Sequence, residues 1–383
     1  MLQGDRRDGS RPVVALAHDY VTQRGGAERV ALSLTRAFPG APLHTTLFDP
    51  GGTFPEFGEV DVRPMRINRW RILQRHHRLA LPFLASTVSR SHIDADIVVA
   101  SSSGWAHGIP TSGRKIVYCH APARWLYQTE RYASGGSGRR TVRGAAVRAA
   151  TSVLGRSLRE WDRHAAASAD RYLVNSTVVQ RAVKEVYGID ADVIAPPPAL
   201  VGTAGEMAAL DGIERPFVLC VARLLPYKNV DLVIEAVAEV PGVDLVIVGT
   251  GPDENRLRAL AARVGGTRLL GRVDDAHLRW LYAHARGLVA ASFEDFGLSP
   301  LEAAAFGTPT AALRDGGYLD TVDPAVNGVF FDLPDRDLVA AAVEQLIRRD
   351  WAEGAILEHA EAFSEERFIT RMRQVVAEEL AGG

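Results

Sequence analysis

Two carboxylates eight positions apart, Glu294 and Glu302, bracket Phe296, Gly297 and Leu298 in the stretch SFEDFGLSPLE at residues 292–302. The apolar run at 287–291 reads as a short buried strand. Ser299-Pro300 can open a helix with proline at its first position. The spacing therefore predicts a strand-to-helix turn that carries Glu294, with Glu302 in the first helical turn. Open α/β sheets bind ligands at that edge, and a glycine at 297 lets the backbone come close to one. Each acid also has a plainer reading. Glu302 can fold back on the Ser299 amide as a capping box, and Glu294 can be a solvated loop acid.

A second cluster lies upstream, in FVLCVARLLPYKN at residues 217–229. An apolar strand ends at Arg223, a short loop follows, and residues 230–239 have helical spacing with Asn229 as the candidate N-cap. Lys228 thus stands just before a helix start, where free amides and the dipole favour an anion. A planar arginine fork and a mobile lysine charge suit a diphosphate. The chain has only three lysines, Lys115, Lys184 and Lys228, against a large excess of arginine, which makes a lysine at this point informative. A solvated loop charge is the competing reading.

The elements that must position these groups follow a regular order. Strands alternate with helical stretches along the whole chain, which argues for parallel sheets wrapped by helices. Strands are expected near 12–18, 42–48, 59–63, 96–100, 115–119 and 171–175, then near 217–222, 243–248, 267–270, 287–291, 309–312 and 329–331. At 383 residues the chain exceeds a single core, so two domains are expected. The proline-rich run at 195–199 and the glycine-containing stretch that follows it to Glu206 form the natural linker. The expected division is a polar tail at 1–10, a first domain at 11–199, a second at 200–364, and a final helical segment at 365–383. Hydrophobic residues at 47% and charged residues at 23% fit an ordinary globular balance. A net charge of −2 gives no pull towards nucleic acid. Cys119 and Cys220 fall on predicted buried strands in different halves, as reduced core thiols. The first ten residues lack an apolar signal core and no stretch approaches bilayer length, so the cytoplasm is expected.

Together the two clusters resemble the donor site of the family 4 retaining glycosyltransferases, which have the GT-B fold of two Rossmann-like domains. The likeness covers most of the chain. Residues 24–30 (RGGAERV) match the family's glycine-rich first loop after a strand at 13–20. Residues 116–127 (IVYCHAPARWLY) are similar to a mannosyltransferase branch in which YCH-x-P-x-R-Y-x-W-D is common. Trp125 stands here for the usual Tyr, and Tyr127-Gln128 for the usual Trp-Asp. Segments 173–177, 193–198, 271–275 and 315–321 also match, while Pro198-Ala199 replaces a more usual Val-Asp.

The resemblance implies roles. Arg223 and Lys228 would stabilise a departing diphosphate without a metal or cofactor. Glu294, with the Gly297 and Leu298 amides and Ser299, would face the donor sugar. Glu302 would accept from the ribose hydroxyls, Val273 would touch the base, and Gly25 and Gly26 would approach the phosphate or acceptor. His120 would reach in from the opposite domain, with a satisfied strand-end histidine as its alternative. The branch favours GDP-mannose as donor and leaves the acceptor open among glycans, lipid-linked glycans and small molecules. A UDP- or other sugar donor, a nucleotide-sugar epimerase and a non-catalytic nucleotide-sugar binder remain alternatives on the same scaffold. The dehydrogenase reading fails because RGGA lacks the dinucleotide glycine spacing.

One surface feature stands apart. Residues 63–90 hold seven arginines, two histidines and no acid, interleaved with Trp70, Ile72, Leu73, Leu79, Leu81, Phe83 and Leu84. Residues 139–163 add a second basic stretch with Leu154, Leu158 and Trp161. Such surfaces can dock on anionic lipid, or their apolar stripes can simply face the core.

Overall fold

A computed structural model describes residues 12–127, 142–200, 205–213 and 215–382. It contains two parallel β-sheets. The first is built from β1 (Val14–His18), β2 (Leu43–Thr45), β3 (Val62–Pro64), β4 (Ile97–Ser102), β5 (Arg114–Cys119), β6 (Arg171–Val174) and β7 (Asp192–Val193), in the order β3-β2-β1-β4-β5-β6-β7. The second is built from β8 (Phe217–Val221), β9 (Asp244–Val248), β10 (Thr267–Gly271), β11 (Leu288–Ala290), β12 (Thr310–Leu313) and β13 (Gly328–Phe331), in the order β10-β9-β8-β11-β12-β13. Each sheet thus reverses direction of growth once, between β1 and β4 and between β8 and β11. These are the switch points beyond whose strand ends ligands bind.

The apolar runs give strands because helices cover both faces, so no face needs polar alternation. All six residues of β4 are buried. Successive residues still separate by face. Ala15, Ala17, Val98, Ala100 and Val117 enter one core layer, whereas Leu16, Val99, Ile116 and Tyr118 enter the other. Among the described residues, twelve of the thirteen strands fall where the apolar pattern places them. The exception is β7, two exposed residues at the sheet edge, too short and too polar to leave a periodic signature.

The final helix, Glu365–Ala381, packs on the first sheet's core through Phe368, Met372, Val375 and Val376. Phe368 meets Tyr118 edge-on at 5.7 Å. Polar contacts fix its register: Glu365 accepts from Ser33 and Arg36, both at 2.6 Å, and Arg114 and Arg171 donate to Glu379 and Glu378, also at 2.6 Å. The chain therefore crosses back to the sheet where it began.

The basic segment divides. Leu73 and Leu84 are buried, but Trp70, Ile72, Leu79 and Phe83 are each more than half exposed. The second basic stretch lies on the helix Val142–Ala167, whose Leu158 and Trp161 pack on the core. Arg139, the tail at 1–10 and linker residues 201–204 lie outside the described residues, as do the surroundings of Leu154 and Trp125. No helix among the described residues is long and apolar enough to cross a membrane.

Candidate active site

The loops after β8 and β11, neighbours at the second switch point, carry the charged groups. After β8 the chain makes a tight turn at Pro226–Lys228 and reaches Asn229, the one non-glycine residue with a left-handed φ (+55°) among the described residues. Asn229 occupies the N-cap of the helix Val230–Val237, yet its side chain does not cap. Its amide donates instead to the Ala291 carbonyl at 2.8 Å and stitches the two loops together. Lys228 is thereby brought onto the Glu294 carboxylate as an ion pair, with side-chain exposures of 11% and 29%. The Ser292 hydroxyl donates to the same carboxylate oxygen at 3.1 Å. Arg223 is exposed and forms no ion pair among the described residues, so the two cations are neighbours in sequence without sharing a counter-ion.

The turn after β11 differs from its expected form. Gly297 adopts a left-handed φ of +86°, and the helix starts at Leu298 rather than at Pro300. A Cβ on Gly297 would stand 2.5 Å from the Tyr318 ring, so both conformation and space call for glycine. The early start makes Ser299 the second helical residue and moves Glu302 beyond the reach of a capping box; the helix has no side-chain cap. Glu302 accepts instead from the Tyr282 hydroxyl at 2.8 Å. Burial holds its carboxyl above the ordinary range, partly offset by that hydroxyl, the Ala199 backbone and the charge of Arg29. Ala199 belongs to the interdomain connection and Arg29 to the first domain, so Glu302 lies where the two domains meet. Val273 packs in the same apolar cluster as Tyr282.

The first domain approaches from its own switch point. Gly25 caps the helix Gly26–Ala37, and a Cβ on Gly26 would come within 3.1 Å of the Leu298 side chain. The glycine loop therefore touches the turn that carries Gly297. Three further contacts join the domains. Arg124 pairs with Asp295, the Ser176 hydroxyl donates to the Asp295 carbonyl, and Thr177 donates to Asp320 through its backbone and hydroxyl, both at 2.7 Å.

His120 directly follows β5 and lies within a buried chain of hydrogen bonds. Its Nε2 lies 2.8 Å from the Ser101 hydroxyl, which lies 3.0 Å from His18 Nδ1. Burial, then the neighbouring charges of His18 and Arg124, push the His120 ring down to about 3, so it is neutral near pH 7. Sequence reasoning passed over two buried acids of the first domain's loops. Asp19, buried directly after β1, accepts from the Ser102 hydroxyl (3.0 Å) and from the amides of Ser103 (2.6 Å), Trp105 (3.1 Å) and Ala106 (2.6 Å). It ties the β1 and β4 loops together. Glu28, 1% exposed, lies under the glycine loop with its Oε2 2.6 Å from where a Gly25 Cβ would stand. An acid placed directly after an apolar strand was the available signal for Asp19. Glu28 looked like an ordinary first-turn acid. Among the described residues no three His, Cys, Asp or Glu side chains converge as a metal-binding group would require.

Two doubly wound parallel sheets whose switch-point loops meet define a GT-B protein. Anabaena HepE in complex with UDP matches the fold with a TM-score of 0.68 over 97% of this chain and all of that one, at 19% identity. A sucrose-phosphate synthase from Thermosynechococcus elongatus matches with 0.67 over the same shares at 18% identity. A family model described as Glycosyl transferases group 1 matches residues 211–367, and one described as Glycosyltransferase Family 4 matches residues 24–197. The chain belongs to the family 4 glycosyltransferases. Similar curated proteins include a D-inositol 3-phosphate glycosyltransferase of Geodermatophilus obscurus, 32% identical over 56% of this chain and 54% of that protein. A GDP-mannose-dependent alpha-(1-6)-phosphatidylinositol monomannoside mannosyltransferase of Mycolicibacterium smegmatis is 32% identical over 45% and 49%. The chain spans about half the length of these curated relatives.

Glu28 supplies a test of the glycine loop's surroundings. Burial pushes its carboxyl up to about 7 from an ordinary 4.5. A raised acid favours the folded state fully below pH 4.5 and loses that contribution as pH rises through 7. Glu28→Gln should therefore gain stability over wild type as pH rises from 4.5 to 8, by up to about 3 kcal/mol. Chemical denaturation of both proteins across that range measures the difference, and a flat difference would contradict the burial of an ionisable carboxyl at this position.

Proposed function

We propose that the protein is a retaining, metal-independent hexosyltransferase that uses a nucleotide-sugar donor, with GDP-mannose favoured. The observation that carries this reading is Lys228 held on Glu294 beside the left-handed Gly297 turn, at the switch point of a family 4 chain. The GDP-mannose-dependent relative supports the choice of donor.

Cleaving the anomeric bond of such a donor leaves new charge on the diphosphate and an oxocarbenium-like sugar. Fixed positive groups aimed at the departing oxygens lower that barrier. Lys228 is placed to supply one, and exposed Arg223, on the same loop, can turn towards the second phosphate. In the free chain Glu294 is the counter-ion of Lys228. An arriving diphosphate takes over the ammonium, and Glu294, with the Gly297 and Leu298 amides and Ser299, turns to the sugar hydroxyls. Glu302 is assigned to the ribose and Val273 to the base. Gly25 and Gly26 approach the phosphate from the other domain, and neutral His120 offers a hydrogen bond rather than a charge. In this reading the leaving phosphate helps to deprotonate the acceptor on the same face of the sugar, and no enzyme nucleophile is needed.

The acceptor is assigned to glycans, lipid-linked glycans or small molecules, and the site of action to the cytoplasm at the membrane's inner face. Exposed Trp70, Ile72, Leu79 and Phe83 lie in one segment with exposed Arg66, Arg69, Arg71 and Arg75. Apolar side chains that can insert, beside cations that can meet phosphate headgroups, suit an anionic bilayer.

Melting curves with GDP-mannose, UDP-glucose, ADP-glucose and TDP-glucose test the donor, because a true ligand raises the midpoint. GDP-mannose should give the largest rise, and a response to UDP-glucose alone would overturn that choice. Donor incubated alone should yield slow hydrolysis, whereas an epimerised sugar would favour the epimerase reading. Lys228→Ala should slow donor cleavage about a hundredfold, or about 3 kcal/mol, and an unchanged rate would remove Lys228 from the chemistry. For the surface, the wild type should sediment with phosphatidylglycerol vesicles but not with phosphatidylcholine vesicles, and the Trp70→Ser/Phe83→Ser double variant should stay in solution. Equal sedimentation of wild type and variant would refute this docking face.

A further inference from the structure

Glu294 owes only part of its placement to its own domain. The loop that carries it is held from below by the Gly317 amide, which donates to the Glu294 carbonyl at 2.8 Å. Its side chain rests on Lys228 and Ser292. The next residue, Asp295, is held from the opposite domain by two groups. Arg124 pairs with its carboxylate, and the Ser176 hydroxyl donates to its carbonyl. The loop's backbone is therefore gripped on one side by the second sheet and on the other by loops following β5 and β6.

The two partners differ in burial. The Asp295 side chain is 7% exposed, whereas that of Arg124 is 43% exposed. A buried carboxylate needs a counter-charge to remain ionised. Arg124 comes from the first domain and lies close enough to His120 for its charge to be felt there. The pair thus links the β5 loop, with His120, to the loop that presents Glu294. Thr177 on Asp320 adds a second cross-domain tie one loop away.

We infer that Arg124, acting through Asp295, is a positioning residue that sets Glu294 against the donor sugar only while the two domains are apposed. The inference rests on the proposed transferase reading for its kinetic consequence but not for its structural one. With the domains apart, Asp295 loses these two cross-domain contacts, and the 292–297 loop keeps the contacts within its own domain, among them those to Gly317 and Lys228. Glu294 then has no reason to leave Lys228 in one particular direction. Donor binding by the second domain's remaining groups would survive, and bond cleavage would not proceed at the full rate.

The alternative is that Arg124 anchors a negatively charged acceptor directly. The two roles separate in a double-mutant cycle of Arg124→Gln and Asp295→Asn. A positioning pair acts as a unit, so the double variant should be no worse than Arg124→Gln alone. An acceptor anchor would leave Asp295→Asn near wild type. Two readouts apply to the full chain. The first is hydrogen exchange of the 292–298 segment without ligand, which should rise in both single variants and rise no further in the double variant. The second is nucleoside diphosphate release with water as acceptor, using whichever of the four nucleotide-sugars above stabilises the protein most. There kcat should fall about tenfold or more in each single variant while the donor KM stays within about twofold, and Arg124→Lys should recover most of the loss. Arg124 is exposed enough for these variants to fold. Unchanged exchange in the single variants would overturn the inference, as would multiplicative effects in the double variant or raised exchange with an unaltered kcat. A wild type that binds and cleaves none of the sugars, with exchange still rising in the variants, would instead count against the transferase reading alone.

Discussion

An ammonium and a carboxylate held together at the edge of a parallel sheet are the interaction on which the site depends. Lys228 is mostly and Glu294 partly withdrawn from water, and taking a charge out of water is costly unless it is paired. Each is the other's counter-ion in the free chain. A pair of this type adds little net stability, and what it provides is a preorganised charge. In the proposed function a diphosphate would replace Glu294 on Lys228 with no new burial of an unpaired cation, and the released carboxylate would be free to meet the sugar. Preorganised charge of this kind is effective in catalysis because it needs no rearrangement when the bond breaks.

The pair exists because of topology. In each sheet the strand order reverses once, so two adjacent loops leave the sheet in opposite lateral directions and open a crevice between them. In the second sheet those loops follow β8 and β11, and the Asn229 amide locks one to the other. In the first sheet the corresponding loops follow β1 and β4, and Asp19 plays the matching part through four hydrogen bonds. Glu302 is tied to the connection between the domains through Ala199 and senses Arg29 across the gap. The final helix returns to the first sheet through Phe368 and Met372, so the second domain is tethered at both ends.

Much of this was legible in the sequence, for physical reasons. Parallel strands buried on both faces are near-continuous apolar runs, and runs such as 97–102 and 217–221 are unmistakable. Strand β7 escaped because two exposed edge residues carry no period. The Glu294 and Glu302 pair stands out because its spacing brackets a glycine turn, and of the two readings of Glu302 the capping box does not hold. A capping box is a local pattern, whereas the Tyr282 hydroxyl comes from a helix twenty residues earlier. Asn229 was recognised by position and misread in role, since its left-handed backbone turns the amide towards Ala291. The contacts between domains, Arg124 with Asp295 and Thr177 with Asp320, join residues more than a hundred positions apart, and no local pattern announces them. In the basic segment, composition alone could not say which apolar residues face inward; Leu73 and Leu84 do, while Trp70 and Phe83 do not.

The most direct test of the charge arrangement is a crystal structure of the protein with GDP bound. The β-phosphate should lie within hydrogen-bonding distance of the Lys228 ammonium, with the ribose hydroxyls on Glu302 and the Glu294 carboxylate displaced from the lysine. A nucleotide bound elsewhere, or bound here with Lys228 still paired to Glu294, would contradict the proposed role of that pair.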